Sequence, residues 1–499
     1  MMKRRTWSWS CALQLALASI LASCVGAAAP AGGPARSSVP LSDCRLAVTG
    51  QPDRIPAVCG TVQVYENREA QAGRQIDLSI AVVRAPSPRP EPDPIFFLAG
   101  GPGQSALESF VPLANAFDRI VVNRDVVLVD QRGTGKSNPL RCPEPAGVDL
   151  EALGTAQRAS LLRQCLERLD ADPRHYATTV AMHDLDQVRA ALGYDKINLY
   201  GISYGTRAAL TYLRYYPTRV RSLVLDGVAP PDVVVGATAA QDAERALDHL
   251  LERCAADTAC RGAFPDLRSD LVALADRLER EPVSVTAAHP ISGKATSVRM
   301  TRERLAGTVR LLTYASETAA ILPLLIHSAH VTGDLRNLVA QSLLATEELN
   351  EAVAAGMYLS VLCSEDAPFL TADITSPKVG FYASDRTIPE LLESCAVWPK
   401  GSIPSDLRQP VQSDAPALLL SGEADPVTPP ANAERALRTL TNGRHLVAPG
   451  QGHNVVFRGC LPRLVATFVE SATATNLETD CVKDVRALPF FVSFAGPLP

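Results

Sequence analysis

The chain has 499 residues, of which 46% are hydrophobic, 5% aromatic and 20% charged, and its formal charge is −5. The apolar share excludes disorder as the main state, and the slightly acidic balance offers no electrostatic footprint for nucleic acid. The length calls for two or three structural units, because single cores stop growing at about 250–300 residues.

Lys3, Arg4 and Arg5 precede a short apolar run over 12–22. That run is about half as long as a membrane-spanning helix requires, so residues 1–23 read as an export signal. Leu21-Ala22-Ser23-Cys24 resembles a bacterial lipobox, in which Cys24 is acylated and attaches the chain to a membrane. The alternative is ordinary cleavage near Ala27-Ala28-Ala29, with Cys24 discarded. Residues 24–44 read as a flexible tether, because 27–40 are rich in Ala, Pro, Gly and Ser. Both versions place the protein outside the cytoplasm, in the cell envelope or secreted.

Of the 12 cysteines, Cys11 lies in the signal and Cys24 at its end. The others fall into local pairs: Cys44/Cys59, Cys142/Cys165, Cys254/Cys260, Cys363/Cys395 and Cys460/Cys481. Nearest-neighbour disulfides are expected in an exported chain, although spacing alone leaves the connectivity open. No Cys/His cluster has zinc spacing.

Strand-like and helix-like stretches then alternate, as in an α/β sheet. Strands are expected over 76–83, 95–99 and 125–130, and a helix over 179–192 leads through Gly193 into a strand at 197–200. A second helix follows over 203–216, stopped by Pro217, before a strand at 222–226. From about 230 to 410 the chain reads as mostly helical, and strands return at 415–420 and 444–447. This predicts a discontinuous core, 45–230 and 411–499, with an inserted helical cap over 231–410.

Gly201-Ile202-Ser203-Tyr204-Gly205 lies between a strand and a helix, the context in which G-x-S-x-G carries a nucleophile. The serine needs a base to take its proton and an acid to hold that base in one tautomer. Asp425 follows the strand at 415–420 and is the candidate acid, with Glu423 as its competitor. Downstream of it only His445 and His453 remain. His445 lies in a strand-like stretch, whereas His453 sits in the loop Gly450-Gln451-Gly452 and is the candidate base. His183, on a helix, reads as a surface residue. The glycines of Ala99-Gly100-Gly101-Pro102-Gly103 let backbone amides approach a reacting carbonyl, so Gly101 and Tyr204 are the candidate oxyanion donors. Gly133-Thr134-Gly135-Lys136-Ser137 superficially matches the end of a phosphate-binding loop, but the first glycine of that pattern falls on Asp130.

Taken together, AGGPG, DQRGTGKS, GISYGT, SGEADPVTP and GQGH resemble the proline iminopeptidase and tripeptidyl aminopeptidase branch of the α/β-hydrolases. The resemblance implies an α/β-hydrolase fold with a mostly parallel sheet, and a C-terminal segment carrying Cys460 and Cys481 as in the tripeptidyl type. It departs at Ala99, where the usual oxyanion sequence has His. In that family an acid in the cap binds the free α-ammonium of the substrate, and Leu362-Cys363-Ser364-Glu365-Asp366 makes Glu365 the corresponding residue. The bland reading of Glu365 is a helix-end carboxylate in solvent. The implied activity is a serine exopeptidase acting on peptides with a free N-terminus, needing neither metal nor organic cofactor. A carboxylesterase or other acyl hydrolase would use the same machinery. A silent scaffold on this fold is disfavoured by the intact Ser, Asp and His.

Overall fold

The computed structural model describes residues 39–48, 54–142, 153–371, 380–384 and 386–497. Residues 1–23, read above as an export signal, and Cys24 lie outside the described residues. Eleven strands are present among them: β1 (Ser42–Leu46), β2 (Ile55–Tyr65), β3 (Gln75–Val83), β4 (Ile95–Leu98), β5 (Val126–Val129), β6 (Ile197–Ile202), β7 (Val220–Asp226), β8 (Val283–Ala288), β9 (Ala295–Met300), β10 (Ala417–Gly422) and β11 (Gly443–Ala448). Nine form one sheet in the order β1-β2-β3-β5-β4-β6-β7-β10-β11. The first three run antiparallel and the six from β5 to β11 are mutually parallel.

Strands β4, β5, β6 and β10 are buried at every position, which is why they read as continuous apolar runs. A parallel sheet covered by helices on both faces demands this. The core helices are α1 (Ala106–Phe110), α2 (Asp118–Val121), α3 (Thr155–Arg168), α4 (Thr178–Ala191) and α5 (Tyr204–Tyr215). Gly193, at φ 84°, ends α4 in a backbone conformation that glycine adopts without strain. One apolar layer packs α4 and α5 against the sheet through Met182, Leu185, Ala208 and Leu210. The opposite layer joins Phe97, Phe110, Phe117 and Tyr200 to the C-terminal part of the chain.

The chain leaves the sheet after β7 and re-enters it at β10, which pairs directly with β7. Between them lie α6 (Ala239–Ala256), α7 (Thr258–Ala263), α8 (Leu267–Arg280), α9 (Arg302–Leu312), α10 (Ser316–Thr332), α11 (Arg336–Ala352), α12 (Ala355–Glu365) and α13 (Thr387–Cys395). In α6 the buried positions Ala243, Ala246, Leu247, Leu250, Leu251 and Cys254 recur at helical spacing. All of them but Ala246 join Leu271, Leu274, Leu305 and Ile326 in a separate apolar core. After β10 come α14 (Pro430–Leu437) and α15 (Leu461–Ser471).

Four findings correct the expectations from sequence. The sheet begins at Ser42, so Ser42–Cys44 belong to β1 and not to a tether. The insertion contains the antiparallel hairpin β8–β9 as well as helices. The C-terminal tail crosses back onto the insertion: Phe490 packs in its core, and the Phe491 amide donates to Ala320 O at 3.1 Å. His183 is half-buried, with Nδ1 2.7 Å from the Tyr216 hydroxyl, rather than a free surface residue.

The ten cysteines among the described residues pair as nearest neighbours, Cys44–Cys59, Cys142–Cys165, Cys254–Cys260, Cys363–Cys395 and Cys460–Cys481. Such a density of disulfides marks a protein made for an oxidising, exported environment. No helix among the described residues is long and apolar enough to cross a membrane. The Cys363–Cys395 bridge spans 32 residues of sequence. By the chain-entropy estimate it contributes about 3–4 kcal/mol. Replacing both cysteines by alanine is expected to lower the urea midpoint by that amount of stability, and an unchanged midpoint would contradict the estimate.

Candidate active site

The chain turns sharply where β6 meets α5. Ser203 has φ 56° and ψ −122°, a conformation that side chains rarely adopt. The surroundings over-determine it. The Ser203 amide donates to Asp226 O at 2.8 Å, and its carbonyl accepts from the Thr206 amide at 2.9 Å and hydroxyl at 2.6 Å. A side chain at Gly205 would collide with the carbonyls of Leu98 and Ala99. The N-terminus of α5 is therefore pressed against the end of β4. Ser203 itself stays half-buried.

Beyond β10, Asp425 is fully buried and accepts at Oδ1 from the amides of Val427 (2.8 Å) and Thr428 (2.9 Å). Its Oδ2 accepts from the Thr428 hydroxyl at 2.8 Å and lies 2.8 Å from His453 Nδ1. Burial alone would raise the Asp425 carboxyl, but His453 and these donors hold it below the usual carboxylate range. For His453 burial works against the charged form, yet Asp425 outweighs it and leaves the imidazole above its ordinary value. The His453 amide donates to Tyr314 O at 2.7 Å, and the Tyr314 ring stands edge-on to the imidazole with centroids 5.6 Å apart. The competing residues are elsewhere. Glu423 is exposed and accepts from the Gly450 amide at 2.8 Å, while His445 meets the Ser421 hydroxyl at 2.9 Å.

Ser203 and His453 adjoin the same two residues. Asp226 receives the Ser203 amide, and a Cβ on Gly227 would lie 3.0 Å from His453 Cε1. On the other side, a Cβ on Gly100 would lie 3.2 Å from Ser203 Cβ, so the loop after β4 borders Ser203. Gly101 (φ 103°) and Gly103 (φ 110°) carry that loop through left-handed conformations. Gly103 O accepts from the Ala354 amide at 2.9 Å, which ties the loop to the insertion just before α12.

Residues 130–137 hold this loop instead of a phosphate. Asp130 Oδ1 accepts from the Ser105 hydroxyl at 2.6 Å, and Ser105 caps α1 by accepting from the Glu108 amide at 3.1 Å. Arg132 is fully buried, paired with Asp184 at 2.6 and 3.0 Å, and donates to the carbonyls of Tyr65, Glu66 and His175.

Glu365, at the end of α12, is not a solvent carboxylate: it is 1% exposed. Its Oε1 accepts from the Thr178 amide at 2.7 Å and its Oε2 from the Thr178 hydroxyl at 2.9 Å. That hydroxyl lies 2.7 Å from the hydroxyl of Tyr204, the residue after Ser203. Burial pushes Glu365 up to about 7, opposed mainly by Arg207 and Thr178. The neighbouring Asp366 is also fully buried and meets Arg207 Nη1 at 2.8 Å. Two side chains of α5 thus join the nucleophile's helix to α12.

Thr178, Arg207, Asp226 and Thr428 were not singled out by the sequence. Only Asp226 carried a usable signal, an acid at the end of a strand followed by glycine. Among the described residues no group of three or more His, Cys, Asp or Glu side chains could hold a metal ion.

A family model described as the alpha/beta hydrolase fold matches residues 93–459. Serine protease Hip1 of Mycobacterium tuberculosis is 25% identical over 520 residues, covering 93% of this chain and 96% of the relative. Tripeptidyl aminopeptidase of Streptomyces lividans is 33% identical over 224 residues, 41% of each chain. Proline iminopeptidase of Neisseria gonorrhoeae is 32% identical over 143 residues, 28% of this chain and 34% of the relative. The strand–Ser203–helix turn, the Asp425–His453 pair and this match over most of the sequence agree, and the chain belongs to the α/β-hydrolase family.

Proposed function

We propose that the chain is an exported serine exopeptidase that removes N-terminal residues or short peptides through an acyl-enzyme. The observation that carries this reading is the buried Asp425–His453 pair, 2.8 Å apart, beside the strained Ser203 turn. Relatives named as a serine protease and as aminopeptidases support the substrate class.

Ser203 Oγ attacks the scissile carbonyl while His453 Nε2 takes its proton, and Asp425 keeps the Nδ1 proton of His453 in place. The amides of Gly101 and Tyr204 face the developing oxyanion. His453 then protonates the departing amine, and water, activated by the same imidazole, releases the acyl group from Ser203. The insertion over 231–410 acts as a cap above this site, and Glu365 is our candidate for receiving the substrate ammonium. A free ammonium is strongly hydrated, so a site that buries it must supply a carboxylate. The engagement of both Glu365 oxygens by Thr178 favours a second reading, an acyl hydrolase in which Glu365 only supports Tyr204.

Ser203→Ala and His453→Ala are each expected to lower kcat by about four or more orders of magnitude without unfolding the protein, and the double variant by little more. Near-normal turnover in purified Ser203→Ala would remove the assignment. The base must be neutral to work, and its folded value is raised, so activity is present above that value and is lost as pH falls through it. The acid limb of kcat/KM is therefore expected above about 6.5, the ordinary imidazole value. A limb below that value would contradict the Asp425–His453 coupling.

Glu365→Gln is expected to lower kcat/KM for free-amine peptides by about 2–3 kcal/mol, as for a lost charge-assisted contact, and to leave a simple p-nitrophenyl ester nearly untouched. Equal losses on both substrates would select the second reading. For localisation we propose acylation of Cys24. Cys24→Ser is expected to move the protein from the membrane to the soluble fraction, and an unchanged distribution would favour cleavage downstream of it.

A further inference from the structure

Asp226 ends β7, is fully buried, and has no part in the mechanism above. Its backbone carbonyl accepts the amide of Ser203 at 2.8 Å. Its carboxylate accepts three contacts from the segment after His453: Val455 N to Oδ1 at 2.9 Å and to Oδ2 at 3.0 Å, and Val456 N to Oδ2 at 2.9 Å. Tyr200, on β6, donates its hydroxyl to Oδ2 at 2.9 Å. Between His453 and these amides stands Asn454 with φ 65°, a left-handed turn that asparagine adopts more readily than most side chains.

We infer that Asp226 is the positioning residue for the catalytic base, a single side chain and peptide that lock the His453 loop and the Ser203 turn to the same strand end. The inference rests on the assignment of Ser203 and His453 as nucleophile and base.

The geometry explains why a carboxylate is used. The two amides leave the left-handed turn side by side, and one carboxylate can accept from both while keeping a lone pair for Tyr200. A neutral amide in its place would bring an N–H donor toward N–H donors. The group is also placed to act on the charge of His453. The titratable groups that face Asp226 are Tyr200 from β6 and His453 from the loop after β11, while Asp425, after β10, contacts the imidazole at Nδ1. Burial raises the Asp226 carboxyl to about 6, with the two amides and Tyr200 opposing. It is ionised at neutral pH, and its negative charge then favours the protonated imidazole. A purely structural clamp would not carry that second consequence.

The test uses the mature enzyme, with kcat/KM followed against pH and each preparation normalised to sites titrated by a fluorophosphonate. Asp226→Asn is expected to lower kcat/KM per titrated site about 10- to 100-fold, as when a reacting group is slightly misplaced, with KM little changed. Its acid limb is expected at lower pH than in the wild type, because the imidazole has lost a neighbouring negative charge. Tyr200→Phe removes a donor that stabilises the ionised Asp226, so Asp226 is more often neutral and the His453 limb is again expected at lower pH. Wild-type values per titrated site, or a loss of activity with neither limb displaced, would overturn the inference. Should Asp226→Asn fail to fold, the limb of Tyr200→Phe decides alone, and an unmoved limb overturns it. Ser203→Ala serves as the separate control: if it still reacts with the titrant and turns over substrate, the assignment of the nucleophile fails, whatever Asp226 does.

Discussion

A serine held at φ 56° between a strand and a helix is an unfavourable piece of backbone, and the fold around it is arranged to leave it no alternative. Such a conformation costs about 1–3 kcal/mol and persists only where its neighbours over-determine it. Here the neighbours are the Asp226 carbonyl on one side, the Thr206 amide and hydroxyl on the other, and β4 pressed against Gly205. The same turn sets Ser203 directly before the N-terminus of α5, whose positive dipole end would favour negative charge developing there. The insertion is joined to this turn as well. Arg207 pairs with Asp366, and Tyr204 reaches Glu365 through Thr178, so α12 and the nucleophile's helix share one buried polar network. Removing one member of such a network leaves its partner desolvated and unpaired, which is why these side chains act as a set.

Three buried carboxylates near Ser203 and His453 are held at different protonation levels by what faces them. All three are desolvated, which by itself raises a carboxyl. Asp425 faces an imidazole together with two amides and a hydroxyl, and ends below the ordinary range. Asp226 has amides and a phenol but no direct cationic partner, and ends near 6. Glu365 has Thr178 and a more distant Arg207, with Asp366 working against ionisation, and ends near 7. A carboxylate that stays charged is the one suited to holding a proton on Nδ1 of the base.

The parallel half of the sheet was legible because its strands are buried on both faces and its helices end at Gly193 and Pro217. The Ser203 turn was legible because both its glycines are forced, Gly205 by the close approach of β4 and Gly201 by the backbone of Gly205 and Thr206. What escaped the sequence reading shares a physical cause, dependence on partners distant in the chain. The hairpin β8–β9 is mostly exposed, so Val283–Ala288 and Ala295–Met300 carry little apolar patterning. Residues 130–137 form a clasp rather than a ligand loop because Ser105, Glu66 and Asp184 come to them from elsewhere. Glu365 reads as a surface acid until Thr178 and Tyr204 are brought beside it. Asp226 ends its strand as Asp425 follows its own, and only the fold shows that one faces the imidazole and the other the backbone beyond it.

The central claim is that Ser203 carries the acyl group during turnover. The most direct measurement is acid quenching of the enzyme during hydrolysis of a slowly released p-nitrophenyl ester, followed by peptide mapping in a mass spectrometer. One acylated peptide is expected, modified on the Ser203 hydroxyl and absent when His453 is replaced by alanine. Turnover with no acyl group on Ser203, or with the acyl group on another side chain, would contradict that claim.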